Sequence, residues 1–173
     1  MYAIPNQTLD DLRNTLSKLM EFQPTHFSVY SLILEEKTMF YNQFLKGKLE
    51  LVSEELELQM VEVIHKILDE DYPQYEISNY SKDFKSYHNL LYWSNEHYLG
   101  IGLSAASYIG SKRYQNTFVL SDYFKNIDNR KFPIFDVDNL STLDTKKHHI
   151  IQGLRKVEGI SLNDYFNRFN TDI

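Results

Sequence analysis

Apolar positions along this chain recur with two different periods, and the changes between them mark its elements. Leu12, Leu16 and Leu19 fall on one helical face; Thr8 can cap that helix, and Asp10 and Asp11 sit in its first turn. Pro24 ends it. Residues 27–34, FSVYSLIL, are nearly continuously apolar, the pattern of a strand covered on both faces. Residues 1–4, meeting Pro5, read as the end of another strand. A short helix is predicted over 38–46, closed by Gly47. Ser53 opens the longest helix, running to about Leu68, with Leu56, Met60, Val63, Ile64 and Ile67 inward and Glu54, Glu55, Glu57 and Glu62 outward.

Beyond Pro73 the pattern shortens. Residues 75–78 and 98–101 read as strands, and Tyr108-Ile109 with Arg113-Tyr114 read as a hairpin turning at Gly110-Ser111. Ser121 begins a small helix. Thr142 begins a longer one, with Ile150, Ile151 and Leu154 inward and Gly159 near its stop. Ser161 and Asp164 form a capping-box pattern on a last helix carrying Tyr165, Phe166 and Phe169. Strands alternating with helices predict an α/β fold with right-handed crossovers and a mostly parallel sheet. Both ends are expected to be cuts: the first strand starts at its last residues, and the last helix runs to Ile173 without a cap.

Composition narrows the class. With 13 Tyr, 11 Phe and 1 Trp, and 42% apolar residues, the 173-residue chain can build a core and is not disordered. The formal charge is −6, against non-specific nucleic-acid binding. Residues 50–72 hold eight acids and one lysine, so a single solvated helix face accounts for the imbalance. No apolar run is long enough to span a membrane and no secretory signal opens the chain, so a cytoplasmic protein is expected. Cysteine is absent, which removes disulfides, thiolate nucleophiles and every Cys-held iron–sulfur cluster from these residues.

Few residues point to chemistry. Gly100, Gly102 and Ala105 fit G-x-G-x-x-A, but a hairpin rather than a helix follows, so a dinucleotide site is not expected. The glycines would still let a flat ligand approach the backbone. His88 lies in SYHNLLYW, where imidazole could ligate a metal or haem iron beside Tyr87, Tyr92 and Trp93, or could simply be packed in an aromatic loop. His148 and His149 are adjacent on a helix, point apart and are expected at the surface. Glu76, in YEISNY, could serve catalysis or a cofactor, or could cap a helix.

Taken in order, YAIPNQT at 2–8, SVYSL at 28–32, YEISNY at 75–80, HNLLYW at 88–93, YLGIG at 98–102, RYQN at 113–116 and GLR at 153–155 resemble one family. It is the HemW family of haem chaperones, related to oxygen-independent coproporphyrinogen III oxidase (HemN) in the radical SAM superfamily. The resemblance implies the C-terminal half of a partial (β/α)6 TIM-like barrel over 1–116, then a truncated, α-rich C-terminal region over 117–173. In full length such a protein would bind S-adenosylmethionine (SAM), a 4Fe–4S cluster and haem. The cluster sits on a CxxxCxxC loop, which this chain lacks, so no cluster ligand and no catalytic residue is assigned here. The resemblance places SAM contacts near Ile33 and Ala106, makes His88 the haem-contact candidate, and implies a haem-acceptor protein as partner. Residues Leu103-Ser104-Ala105-Ala106 depart from a stretch that is richer in Gly in the family, which narrows backbone approach there. The alternatives are a cluster-free haem-binding module and a relic without function.

Overall fold

The computed structural model describes residues 1–173, which form two compact units, Met1–Lys85 and Ser86–Ile173. The first contains helices α1 (Leu9–Glu21), α2 (Met39–Leu45) and α3 (Glu54–Leu68) and strands β1 (His26–Ser28), β2 (Gln74–Glu76) and β3 (Asn79–Ser81). Its helices start where the sequence says. Thr8 accepts from the Asp11 backbone N–H while Asp11 accepts from Thr8, a complete capping box. Thr38 and Ser53 cap α2 and α3 through their hydroxyls. Leu12 and Leu16 of α1 meet Met60, Ile64 and Leu68 of α3, and Phe27, Tyr72 and Tyr80 close the same cluster.

The sheet of this unit has the order β1-β3-β2, and both pairings are antiparallel. This corrects the expectation of a mostly parallel sheet. Only Ile77 and Ser78 separate β2 from β3, whereas a parallel crossover needs a dozen residues or more, so YEISNY folds back on itself as a hairpin. Parallel pairing survives at one place. Tyr2 bridges Ser31, its N–H donating to the Tyr30 carbonyl and its carbonyl accepting from the Leu32 N–H, each at 2.9 Å. Residues 27–34 are not covered on both faces either: Phe27 is buried, whereas Tyr30 and Ile33 are exposed, since α1 and α3 pack on one side.

The second unit contains α4 (Tyr87–Trp93), β4 (Ala106–Ile109), β5 (Lys112–Asn116), α5 (Leu120–Asp128), β6 (Ile134–Asn139), α6 (Thr142–Gly153) and α7 (Leu162–Phe169). The expected hairpin is β4–β5, and β6 adds to it in the antiparallel order β4-β5-β6. The segment expected as a strand at 98–101 makes only one bridge, Tyr98 to Tyr108. Residues 87–93 form a helix capped by the Ser86 hydroxyl, not a loop. Ser141 and Asp144 build the capping box of α6. On that helix Ile151 and Leu154 point to solvent and His149 is buried, the reverse of the expected face. Asn170, in the left-handed conformation, caps α7, so that helix stops before the chain does.

Candidate functional site

The glycine segment is shaped by one close approach. A Cβ on Gly100 would overlap the Ala106 carbonyl, so only glycine lets residue 100 lie against the start of β4. The contact is fixed by the Gly100 N–H donating to Ser107 Oγ at 2.9 Å. Asn116, near the end of β5, donates to the Gly102 carbonyl at 2.8 Å, and Gly102 has φ +113°, outside the range of ordinary side chains. Ser104 also has positive φ, +59°, and is held there by its own N–H donating to Thr117 O and by Gln115 Nε2 donating to its carbonyl. The loop from 99 to 105 is thus pinned at four points by β4, β5 and the turn after them. No helix follows it, and the G-x-G-x-x-A pattern is not a dinucleotide site.

Beside this loop lies an apolar cavity of about 540 Å³. Leu99 and Ile101 of the loop, Tyr123 and Ile127 of α5, and Phe132 and Ile134 line it. Ser107, Tyr114 and Asn116 supply its few polar atoms. Such a lining suits a flat or aliphatic group with little hydrogen-bonding capacity. The sequence alone gave no sign of it, because α5 and Phe132 are brought to the loop only by the pairing of β6.

His88 lies on the exposed side of α4, one turn before Tyr92, and meets that ring edge-on with centroids 4.7 Å apart. Tyr92 in turn packs edge-on against Tyr98. No hydrogen bond engages the imidazole, so its nitrogens are open to an external ligand. Trp93 faces elsewhere: the Arg155 guanidinium lies over its ring, 4.3 Å from the centroid. Ile33 is exposed in the first unit, and Ala106 is exposed at the start of β4.

His149 is not a surface residue. Its Nδ1 receives Arg168 at 3.1 Å, and since a guanidinium can only donate, the ring is neutral with its proton on Nε2. Burial, then the charges of Arg168 and Lys156, push its pKa down. Arg168 also donates to the Ser94 carbonyl and pairs with Glu96 at 3.2 Å, so one side chain of α7 ties the end of α4 to α6. Spacing could not disclose this network, which joins residues more than seventy positions apart.

Glu76 does not cap a helix. It is fully buried, accepts from Asn79 Nδ2, and Asn79 accepts from Ser28 Oγ at 2.5 Å. Its Oε2 has no partner within the chain. The carboxylate is therefore part of the β1–β3–β2 hairpin interior, with one acceptor left unmatched.

With this geometry the fold can be placed. No protein-family model matches the chain. Its backbone superposes on that of Escherichia coli coproporphyrinogen III oxidase (HemN), described as a radical SAM enzyme, with TM-score 0.76 over 98% of this chain and 42% of that one, at 19% identity. The chain thus has part of a radical SAM fold. It aligns over its whole length with the haem chaperone HemW of Bacillus subtilis at 37% identity, and over 98% with that of Lactococcus lactis at 36%. A mitochondrial radical S-adenosyl methionine domain-containing protein of Danio rerio aligns over 93% at 29%. This chain is a HemW-like radical SAM sequence. It spans somewhat under half the length of these curated relatives, 46% of the B. subtilis protein and 38% of the D. rerio one.

Full-length proteins of the radical SAM family carry SAM and a 4Fe–4S cluster. The donor set for that cluster does not fit the residues present: the chain has no cysteine, and no group of three or more His, Asp or Glu stands together.

Proposed function

We propose that this chain is the C-terminal portion of a HemW-type haem chaperone and that His88 presents haem iron with its imidazole. On this reading residues 1–116 form the second half of the barrel and 117–173 the helical C-terminal region. The observation that carries the reading is the exposed, unbonded His88 at the head of the HNLLYW segment, in a chain aligned end to end with proteins named haem chaperones. Tyr92 holds the ring edge-on, which limits its rotation without occupying either nitrogen. SAM would be met at Ile33 and at the Ala106 backbone once the rest of a full-length protein supplies the cluster. There the pair would provide reductive radical chemistry. A cytoplasmic location and transfer to a haem-acceptor protein belong to the same proposal.

With no cysteine in the chain, an iron ligand among these 173 residues is an imidazole, a phenolate or a thioether, and we assign it to the His88 imidazole. Titration with hemin should give a shifted Soret band with saturable stoichiometry. The shift should vanish in His88→Ala and persist in Tyr92→Phe, which removes only the hydroxyl. An identical spectrum in His88→Ala would exclude His88 as the ligand and end this reading.

A further inference from the structure

The apolar cavity of about 540 Å³ beside the glycine loop is unused by the haem reading, and none of its lining residues is charged. The other cavity of this unit, about 460 Å³ between α4, α6 and α7, is lined by Glu96 and Asp164 as well as Lys156 and Arg168 and selects no sign of charge. We propose that the uncharged cavity is a binding site for a neutral, planar ring system that carries a hydroxyl or carbonyl group.

Side chains alternate along β4 and β5, and the register sorts them by face. Tyr108 is paired with Arg113, whose guanidinium lies over its ring, and it packs against Tyr98 and His97. Ser107 is paired with Tyr114, and both line the cavity, as does Ile109. The cavity therefore lies on the face of the hairpin opposite the ring series that runs from Tyr108 through Tyr98 and Tyr92 to His88. Neither His88 nor Ala106 is in its lining, so the site is independent of both the haem and the SAM positions.

The apolar lining is left open by the chain itself. Ile101 is 86% and Phe132 84% exposed, and Leu99, Ile109, Ile127 and Ile134 are exposed beside them. Scattered singly, such residues need no explanation, but six around one cavity form an apolar surface that awaits a ligand. The shape suits a plane. Gly100 and Gly102 bring bare backbone to the lining, and a Cβ on Gly102 would meet nothing within 4 Å. Tyr114, Tyr123 and Phe132 bring rings, which favour stacked or edge-on contact with another ring. Two polar side chains in the lining, Ser107 and Asn116, are more than nine-tenths buried. Ser107 Oγ accepts from the Gly100 N–H, which leaves its own proton to donate. Asn116 Nδ2 donates to the Gly102 carbonyl, which leaves Oδ1 to accept. One donor and one acceptor match a hydroxyl or carbonyl. A carboxylate, phosphate or ammonium would lose its water here without gaining a counter-charge. Since β4 and β5 pin the loop, the site is formed before a ligand arrives.

The probe is 2-naphthol, a two-ring phenol that is neutral at neutral pH, titrated calorimetrically into the 173-residue chain. Saturable binding at one site is expected. Naphthalene-2-sulfonate keeps the rings but adds a fixed charge, and 1-octanol keeps the hydroxyl but not the plane; each should bind about tenfold or more weakly. Ile101→Asp puts a carboxylate into the lining at a position already exposed, and should weaken 2-naphthol about tenfold or more. Ile151→Asp, on α6 outside the lining, should leave it unchanged. Absence of saturable binding by the parent chain, which needs no variant to observe, overturns the proposal, as does an Ile101→Asp chain that titrates like the parent. Equal affinity for the sulfonate overturns the neutral class, and equal affinity for octanol the planar one. A dimer in sedimentation that Ile101→Asp dissociates would give this face to a second copy of the chain and overturn it too.

Discussion

The two units bury different materials. Of the thirteen buried apolar residues, ten lie in residues 1–85, and Met60, Ile64 and Leu68 there are at most 2% exposed. Residues 86–173 bury only Tyr108, Leu140 and Tyr165 among apolar side chains, fewer than their buried polar ones, Asn95, Ser107, Asn116, Thr117 and His149, whereas in residues 1–85 the buried polar side chains, Glu76, Ser78, Asn79 and Ser81, are outnumbered by apolar ones. The first unit is held by burial of aliphatic and aromatic surface. The second is held by specific hydrogen bonds and ring contacts, and it contains both cavities and His88. Hydrophobic burial tolerates sequence change if volume is kept, whereas a polar network fixes geometry at the cost of sensitivity to single groups. Chemistry would sit on the second kind of ground.

Four changes can break or sharpen that contrast, with urea unfolding as the readout: far-ultraviolet circular dichroism reports the helices of both units, and Trp93 emission reports the second unit alone. The largest effect is expected from Met60→Ala. It removes a fully buried side chain and should cost about 4 kcal/mol in the first transition. If both signals shift equally, the units do not differ in the way described. Next comes Gly100→Ala, which forces a methyl into the Ala106 carbonyl and should cost about 3 kcal/mol, seen in Trp93 emission. A neutral result would show that the loop is not pinned.

The third effect is acidification. Burial depresses the pKa of His149 and His148 in the second unit, and of His26 in the first. The unfolded chain then takes up protons before the folded one does, so stability is full above the ordinary value of 6.5 and is lost as pH falls from there towards the depressed values. The urea midpoint read by Trp93 should therefore drop between pH 7.5 and 5. His149→Gln, whose carbonyl can still accept from Arg168, should flatten the drop. The smallest effect is a gain. Ser104 sits in the left-handed region, and Ser104→Gly should stabilise by about 1 kcal/mol. A loss would mean that the serine side chain has a role no contact here reveals.

The same contrast decides what the sequence disclosed. Helices α1, α2, α3 and α6 were legible because Thr8, Thr38, Ser53 and Thr142 mark their starts and, in α1 and α3, the apolar stripe follows. The β4–β5 hairpin was legible from its Gly-Ser turn. Strand β6 was not, because every residue of Ile134–Asn139 is exposed and its place comes only from pairing with β5. Helix α4 was hidden since its seven residues, largely aromatic, bury no full face. The parallel sheet was expected from element order, and the two-residue link after Glu76 overrode it. At the candidate site His88 could be singled out by residue type and by resemblance. The stacking of Arg155 on Trp93 and the Arg168–His149 network could not, since both are long-range contacts without local signature.

The central claim is that ligand chemistry resides in the second unit, at α4. Amide hydrogen exchange of the 173-residue chain, with and without hemin, tests it most directly. Hemin-dependent protection is expected to concentrate in residues 86–98 and to be absent from His88→Ala. Protection confined to residues 1–85, with α4 exchanging as it does without hemin, would contradict it.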